Sequence, residues 1–228
     1  MAFRKKASYI LKCKPDLLII PECEHPEKLE SDPDFPKPVS TIWYGQNKNK
    51  GLGVFAYGNL SIELLPCHNA SHQIILPISV KGLETDFILF AIWANNPKDL
   101  KYQYIGQVWK ALLEYESLLK NYSVLLTGDF NSNSIWDKPK RLYNHSAVVK
   151  MLDNFNIRST YHSYFKQEQG SEKHPTLYMY RHKEKAYHID YCFSSADFTK
   201  RLKKVTVGKF ETWSTLSDHS PLIVEFAG

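Results

Sequence analysis

Hydrophobic residues in this chain fall into short runs bounded by turn-forming residues, with a few stretches at helical spacing instead. The short runs are typical of β-strands. They predict strands over 17–20, 41–44, 53–57, 61–65, 73–80, 87–93, 123–127, 176–180, 187–193, 203–208 and 222–226. Helical spacing predicts helices over 3–13, 99–120 and near 145–155. Asp99 is expected to cap the second of these. Since no repeat or linker divides the chain, the pattern predicts one α/β domain over 1–228 with many antiparallel strands.

Composition narrows the class of protein without identifying it. The chain has 228 residues, of which 43% are hydrophobic, 23% charged and 14% aromatic. This length is enough to bury the core of one domain. The composition excludes disordered and collagen-like chains. The formal net charge of +5 permits an anionic partner without requiring one.

The sequence offers no membrane span and no secretion signal. The aliphatic run 17–20 is far shorter than the roughly 20 residues that a spanning helix needs. Lys12 and Lys14 interrupt the segment that a signal peptide would keep apolar. The four cysteines form no C-x-x-C pair, which favours free thiols in a reducing compartment over disulfides or zinc. We therefore expect a cytoplasmic protein with no membrane partner.

Polar residues that suit phosphate or metal chemistry follow two predicted strands. Glu22 comes directly after 17–20, where a carboxylate could hold a hard cation or simply face solvent. Gly128-Asp129-Phe130-Asn131 comes directly after 123–127. Extended backbone would turn Asp129 and Asn131 to the same side, where they could hold a phosphate or a water; an Asx turn explains the same pair.

Two further polar groups adjoin the later strands. Alternation along 187–193 places His188, Asp190 and Cys192 on one face. If that strand is buried, the carboxylate of Asp190 needs a hydrogen-bond partner, such as a histidine N–H. If it is a solvated edge strand, Asp190 needs no such partner. Ser217-Asp218-His219-Ser220-Pro221 directly precedes 222–226. It could supply a histidine for proton transfer and a carboxylate for a metal, or only a capped turn.

Taken in this order, the four groups resemble those of the DNase I-like endonuclease/exonuclease/phosphatase superfamily. The resemblance spans 14–226, and the combination of GDFN, IDY and SDH is specific. The segment His174-Pro175-Thr176-Leu177-Tyr178 is also similar to a threonine-containing segment that lines the site of this superfamily.

The resemblance implies a fold and a reaction. The fold is a four-layered α/β sandwich, in which two mixed, mostly antiparallel sheets pack face to face and helices cover the outside. The reaction is hydrolysis of phosphodiester or phosphomonoester bonds with Mg²⁺ or Mn²⁺. By this resemblance Glu22 is the main metal ligand and Asp218 helps to hold the metal or its waters. Asp190 orients His219, which activates the attacking water.

The same resemblance assigns contacts with the substrate. Asp129 and Asn131 would contact the scissile phosphate and its nucleophile, and Thr176 would line the site. Trp93 stands where many members carry a histidine or tyrosine that donates to the phosphate. Because tryptophan offers only its indole N–H, either Asn95 or His68 substitutes for that donor or the reaction is slower.

The start of the chain also departs from the superfamily. Members open with a buried strand that ends in an asparagine at the metal, whereas only Met1-Ala2 precede the first predicted helix here. We therefore expect the fold to lack its first strand and the printed start to lie inside a longer reading frame. The missing first strand and the tryptophan at position 93 support an alternative hypothesis, in which the protein binds phosphate or nucleic acid without turnover.

The substrate is the least determined part of the interpretation. Lysines and arginines are frequent after residue 180, with tyrosines among them, and such residues can follow a phosphate backbone and stack on bases. This favours a monomeric nuclease acting on DNA or RNA. A phosphatase or phosphodiesterase for a small phosphorylated molecule is the alternative.

Overall fold

The computed structural model describes residues 3–29, 37–72, 74–82, 84–96 and 100–228. Thirteen strands form within these residues: β1 (Leu17–Cys23), β2 (Ser40–Asn47), β3 (Lys50–Ala56), β4 (Ser61–Leu64), β5 (Ile74–Lys81), β6 (Phe87–Trp93), β7 (Val124–Asp129), β8 (Arg158–Ser159), β9 (Leu177–Tyr178), β10 (Ala186–Tyr187), β11 (Asp190–Ser194), β12 (Leu202–Val207) and β13 (Leu222–Phe226). The α-helices of the same residues are α1 (Ala7–Leu11), α2 (Ile105–Glu114), α3 (Glu116–Asn121), α4 (His145–Asp153), α5 (Thr160–Phe165), α6 (Ala196–Lys200) and α7 (Phe210–Trp213). None of these helices has the length and apolar character that crossing a bilayer requires.

The largest sheet has six strands in the order β4-β5-β6-β7-β11-β8. Its pairs are antiparallel except β6 with β7, which run parallel because the connection between them crosses over through α2 and α3. Facing this sheet are a three-stranded sheet, β1-β3-β2, and a two-stranded sheet, β12-β13. The predicted mixed, mostly antiparallel α/β sandwich is therefore confirmed, with one correction: the second β layer is divided into two sheets in the described residues.

The central core lies between these two β layers. Val54 of β3 packs there with Leu76 of β5 and Leu89 of β6, all buried. Ile19 of β1 and Val224 of β13 pack against the same cluster from the divided layer. Burying a side chain of this size contributes roughly 1.5–3 kcal/mol, so this cluster fixes how the two layers sit on each other.

Helices cover both outer faces and complete the four layers. On one side Phe3 stacks on Phe55 with ring centroids 5.7 Å apart, and the cluster includes Leu18 of β1. On the other side Phe90 of β6 packs with Val108 of α2 in the cluster that also takes in α3 and α4. Alternate residues of a strand therefore face the central core and one outer cluster, as the period of two requires: in β6, Leu89 lies in the central core and Phe90 in the outer cluster.

Several helices differ from the sequence prediction. The expected helix 99–120 is two helices that meet at Tyr115, preceded by a short 3-10 turn at Leu100–Tyr102, and Asp99 lies outside the described residues. Helices α5, α6 and α7 were not predicted, because four to six residues carry too little periodicity to identify. The predicted strand 187–193 is also interrupted before Asp190 and forms β10 and β11.

Gly128 allows β6 and β7 to lie unusually close. Its φ is +136°, a conformation that residues with a side chain rarely adopt. A Cβ added to Gly128 would lie 1.9 Å from the carbonyl oxygen of Ile92, which is its partner in the parallel ladder. Only glycine therefore permits this pairing directly before Asp129.

We predict that Gly128→Ala destabilises the fold by at least about 3 kcal/mol, because it adds a backbone clash to a strained φ. The matched control is Gly58→Ala, where φ is +65° and no atom lies within 4 Å of the added Cβ. The control should lose only about 1 kcal/mol. Urea denaturation of the two variants measures the difference, and equal losses would contradict the proposed close approach.

Candidate active site

Three neighbouring strands place Trp93, Asp129 and Asp190 in one row across the six-stranded sheet. Asp129 is the last residue of β7 and Asp190 is the first residue of β11, and the two are direct partners in the antiparallel ladder. Trp93, the last residue of β6, is the partner of Asp129 on the other side. The register of the ladder therefore brings together residues that are 36 and 61 positions apart in the chain.

His219 reaches this row from the loop before β13. Its Nδ1 lies 2.9 Å from Oδ2 of Asp190. The loop is fixed to β9, since Tyr178 N–H donates to the carbonyl oxygen of Asp218 at 2.7 Å and Leu177 forms an isolated bridge with His219. Side-chain ligand atoms of Asp129, Asp190 and His219 all lie within 4.8 Å of one another. The predicted partner of Asp190 is thus a histidine from the last motif.

The charges of this group depend on one another. Burial raises the pKa of the Asp129 carboxyl well above its ordinary value, and the charge of Asp190 raises it further. Burial alone lowers the pKa of His219, but the charge and hydrogen bond of Asp190, helped by Asp129 and Asp218, outweigh it and raise that pKa to about 9. Two facing carboxylates therefore draw a positive charge into the site.

Asn131 lies beside Asp129 through an Asx turn, the alternative to extended backbone, since its φ is +47°, and it holds the Asp129 carboxylate in place. Its backbone N–H donates to Oδ1 of Asp129 at 2.8 Å. Its side-chain Nδ2 donates to Oδ2 of Asp129 at 2.9 Å and to the carbonyl oxygen of Ala94 at 2.7 Å. Since both amide hydrogens are used, only the Oδ1 of Asn131 remains for another group.

Thr176 is fully buried, so its side chain offers no surface to a substrate. Its Oγ1 accepts the backbone N–H groups of Ile189 and Asp190, each at 3.0 Å. Its carbonyl oxygen accepts the N–H of Ser220 at 2.7 Å. In this structure Thr176 positions the strand that carries Asp190 and the loop that carries His219, in place of the substrate contact that we expected.

Glu22 lies on β1 at a bulge in its pairing with β3, between Ile20 and Cys23. Its φ is +58°, a left-handed conformation for a residue with a side chain. The side chain is half exposed, and Oε1 lies 2.8 Å from Nζ of Lys50. Glu22 is outside the group of Asp129, Asp190 and His219, although its charge contributes to the raised pKa of Asp129.

Asp218 is exposed, and the charges of both Asp218 and Glu22 act on the amine of Lys6. Lys6 Nζ donates to Oγ of Ser217 at 3.2 Å. Burial lowers the pKa of Lys6, while the charges of Asp218, Glu22 and Glu24 oppose that shift. In the sequence, Lys6 stands out only as part of the basic cluster Arg4-Lys5-Lys6.

The remaining predicted substrate contacts lie at the edges of this site. Trp93 is 8% exposed, and Nζ of Lys50 lies 5.2 Å from the centroid of its ring. Asn95 is half buried, and its Oδ1 has no hydrogen-bond partner among the described residues. His68 packs edge-on against Tyr44 with ring centroids 5.0 Å apart, and within the same part of the chain its buried Nε2 has no partner either.

A cavity of about 330 Å³ opens beside Asn131. Its lining includes the aromatic residues Tyr104 and Trp136 and the basic residues Lys138 and Arg141. The sequence prediction missed this cavity, because residues 134–144 carry no motif and form mostly irregular loop.

The donor chemistry of the site fits a divalent cation. Carboxylate oxygens are the ligands that Mg²⁺ and Mn²⁺ prefer, and Glu22, Asp129, Asp190 and Asp218 supply them around one histidine. The close approach of Asp129 and Asp190 leaves negative charge that a cation would relieve.

Comparisons with known proteins rest on structure rather than on sequence. No model of a known protein family matches the chain. No curated protein matches its sequence. Among solved structures, an AP endonuclease from Archaeoglobus fulgidus superposes with a TM-score of 0.68 at 16% identity, over 99% of this chain and 95% of that one.

Two other solved structures give similar superpositions. The 3′ phosphatase NExo from Neisseria, bound to a product DNA hairpin, matches with a TM-score of 0.65 at 18% identity, over 99% of this chain and 95% of that one. The endonuclease domain of the telomere-specific retrotransposon TRAS1 matches with a TM-score of 0.65 at 14% identity, over 98% of this chain and 90% of that one. This chain therefore has the fold of the DNase I-like endonuclease/exonuclease/phosphatase superfamily.

Proposed function

We propose that this protein is a divalent-metal-dependent phosphoester hydrolase that cleaves phosphodiester bonds in DNA or RNA by direct attack of water. The observation that carries this proposal is the His219–Asp190 pair, held 2.9 Å apart against the carboxylate of Asp129. The fold shared with nucleases and a phosphatase supports the same reaction class.

In this proposal Glu22 and Asp218 hold the metal or its waters. When bound, Mg²⁺ or Mn²⁺ would neutralise negative charge on the phosphate. The left-handed backbone of Glu22 is consistent with such a task, because strained residues persist where a site requires them.

His219 is the proposed proton acceptor, acting as the neutral imidazole. Because its pKa is about 9 in the metal-free protein, a cation bound beside Asp129 and Asp190 would have to lower that pKa for the ring to accept a proton near neutral pH. Because Nδ1 is engaged with Asp190, Nε2 is the ring nitrogen left to take a proton from water. Asp190 fixes this tautomer and stabilises the imidazolium that results. Asp129, held by Asn131, would orient the water or the phosphate.

The cavity beside Asn131 supports a nucleotide-containing substrate. Lys138 and Arg141 could neutralise backbone phosphates, and Trp136 is 43% exposed, which suits stacking on a base. By contrast, some basic residues that we expected to follow the backbone are already paired within the protein. Lys183 lies 2.5 Å from Glu211, and Lys204 lies 3.8 Å from Glu225.

We predict that His219→Ala lowers the rate of metal-dependent hydrolysis by about 10²–10⁴-fold, because it removes the proton acceptor. The assay uses single-stranded DNA, duplex DNA, RNA and 3′-phosphorylated DNA with Mg²⁺ or Mn²⁺. His182→Ala is the matched control: His182 is an exposed histidine that also faces a carboxylate, Glu184, at 3.4 Å. Equal rates for the two variants would contradict the role of His219, and release of phosphate from monoesters alone would replace the nuclease proposal with a phosphatase.

We also predict that Asp190→Asn lowers the pKa of His219 by about 1–3 pH units, since it removes the nearest negative charge. The wild-type value in metal-free protein should be about 9, measured by NMR titration of the ring in the presence of a chelator. Because this pKa is raised above that of an unfolded histidine, the protonated ring stabilises the metal-free fold below about pH 6.5 and that contribution is lost as the pH rises through about 9. An unchanged titration in Asp190→Asn would show that the pair does not control the ring.

A further inference from the structure

Lys50 brings an ammonium group to the site from a part of the chain that carries none of the motifs. It is the first residue of β3 and follows the two-residue turn at Lys48 and Asn49. Its Nζ lies 2.8 Å from Oε1 of Glu22 and 5.2 Å from the ring centroid of Trp93. The amine thus lies between the divided β layer and the six-stranded sheet, at the end of the row formed by Trp93, Asp129 and Asp190.

The hairpin that presents Lys50 is anchored to the segment that follows Glu22. The N–H of His25 donates to the carbonyl oxygen of Lys48 at 3.0 Å, and Nζ of Lys48 lies 2.6 Å from Oε2 of Glu27. The indole Nε1 of Trp43 donates to the carbonyl oxygen of Cys23 at 3.1 Å. These contacts fix the turn independently of the ion pair between Lys50 and Glu22.

The stability gained from the ion pair between Lys50 and Glu22 does not by itself explain why the two side chains meet. Both side chains are about half exposed, and an ion pair in that environment contributes at most about 1 kcal/mol. The strained backbone of Glu22 costs a comparable or larger amount, so stability alone does not account for bringing this carboxylate and this amine together.

Lys50 also offers hydrogen-bond donors and a positive charge that Trp93 lacks. Trp93 occupies a position facing Asp129, but its only polar hydrogen is the indole N–H and it carries no charge. The amine above its ring has three N–H donors and a full positive charge. If the carboxylate of Glu22 holds a cation, Lys50 loses that partner while its hairpin keeps the amine beside the row.

We propose that Lys50 is a catalytic residue that donates a hydrogen bond to a non-bridging oxygen of the scissile phosphate, with Glu22 holding its amine when no metal and no substrate are bound. This inference rests on the proposed function, because it assigns a phosphate to the site that Glu22, Asp129 and Asp190 surround.

The test compares Lys50→Met with Lys48→Met, a matched control on the same hairpin whose amine pairs with Glu27 instead of Glu22. We expect Lys50→Met to lower kcat/KM about 10- to 100-fold, because it removes a hydrogen bond to a charged group. Lys50→Arg should recover part of the loss, since it keeps the charge but not the geometry. Lys48→Met should stay within about twofold of the wild type, as expected for an exposed ion pair.

A binding measurement separates contact with phosphate from mere pairing with Glu22. In the His219→Ala background with Mg²⁺, binding of a labelled single-stranded oligonucleotide is followed by fluorescence anisotropy as a function of salt concentration. Adding Lys50→Met should reduce the slope of log affinity against log salt by about 0.7, the value for one lost phosphate contact on a single strand. Adding Lys48→Met should leave the slope unchanged.

Two results would count against these proposals in different ways. If Lys50→Met only lowers the Mg²⁺ concentration needed for half-maximal rate, and the saturating rate and the salt slope stay unchanged, Lys50 serves Glu22 alone and the inference is overturned. If the wild type hydrolyses none of the substrates, the proposed function fails, while the salt slope still reports whether Lys50 contacts phosphate.

Discussion

The site depends on two carboxylates that face each other on neighbouring strands. Asp129 and Asp190 are direct partners in the ladder between β7 and β11, so backbone hydrogen bonds set the distance between their Cα atoms and keep both side chains at one point of the sheet. Like charges held close together in a place of low exposure are unfavourable unless one is neutralised or a cation joins them. His219, whose Nδ1 lies 2.9 Å from Oδ2 of Asp190 and whose pKa is raised to about 9, supplies such a positive charge.

Much of the surrounding architecture keeps this pair in position. Gly128 allows β6 and β7 to approach directly before Asp129. Thr176 accepts the backbone N–H of Asp190 and, through its carbonyl oxygen, holds Ser220 next to His219. The threonine therefore links the two halves of the histidine–aspartate pair although it has no access to solvent. A buried hydroxyl with these partners is expected where a strand and a loop must keep a fixed distance.

Short motifs beside apolar runs point to Asp129, Asp190 and His219 one by one, and the resemblance to the superfamily joins them into one group. The sheet register pairs the two aspartates, and the loop before β13 adds His219, so that their ligand atoms lie within 4.8 Å of one another. Motif spacing cannot tell a buried side chain from an exposed one, which is why Thr176 was expected to contact substrate. Lys6 and Lys50 were missed for a different reason. Their positions depend on how α1 and the β2–β3 hairpin pack against other layers, and no local pattern encodes that packing.

Lys6 and Lys50 affect how this protein would bind a metal ion. The carboxylates that would hold a cation already have cationic neighbours, Lys50 at Glu22 and Lys6 beside Asp218. At Glu22 a divalent ion would therefore compete with the ammonium group of Lys50, which already lies 2.8 Å from that carboxylate. Once displaced, this ammonium group would stay tethered by its hairpin near the site, where an incoming phosphate is an available anion. Under the proposed function, the positive charge that pairs with Glu22 in the metal-free protein would thus bind the substrate when a metal is bound, and the affinity for metal and the affinity for phosphate would be coupled through Lys50.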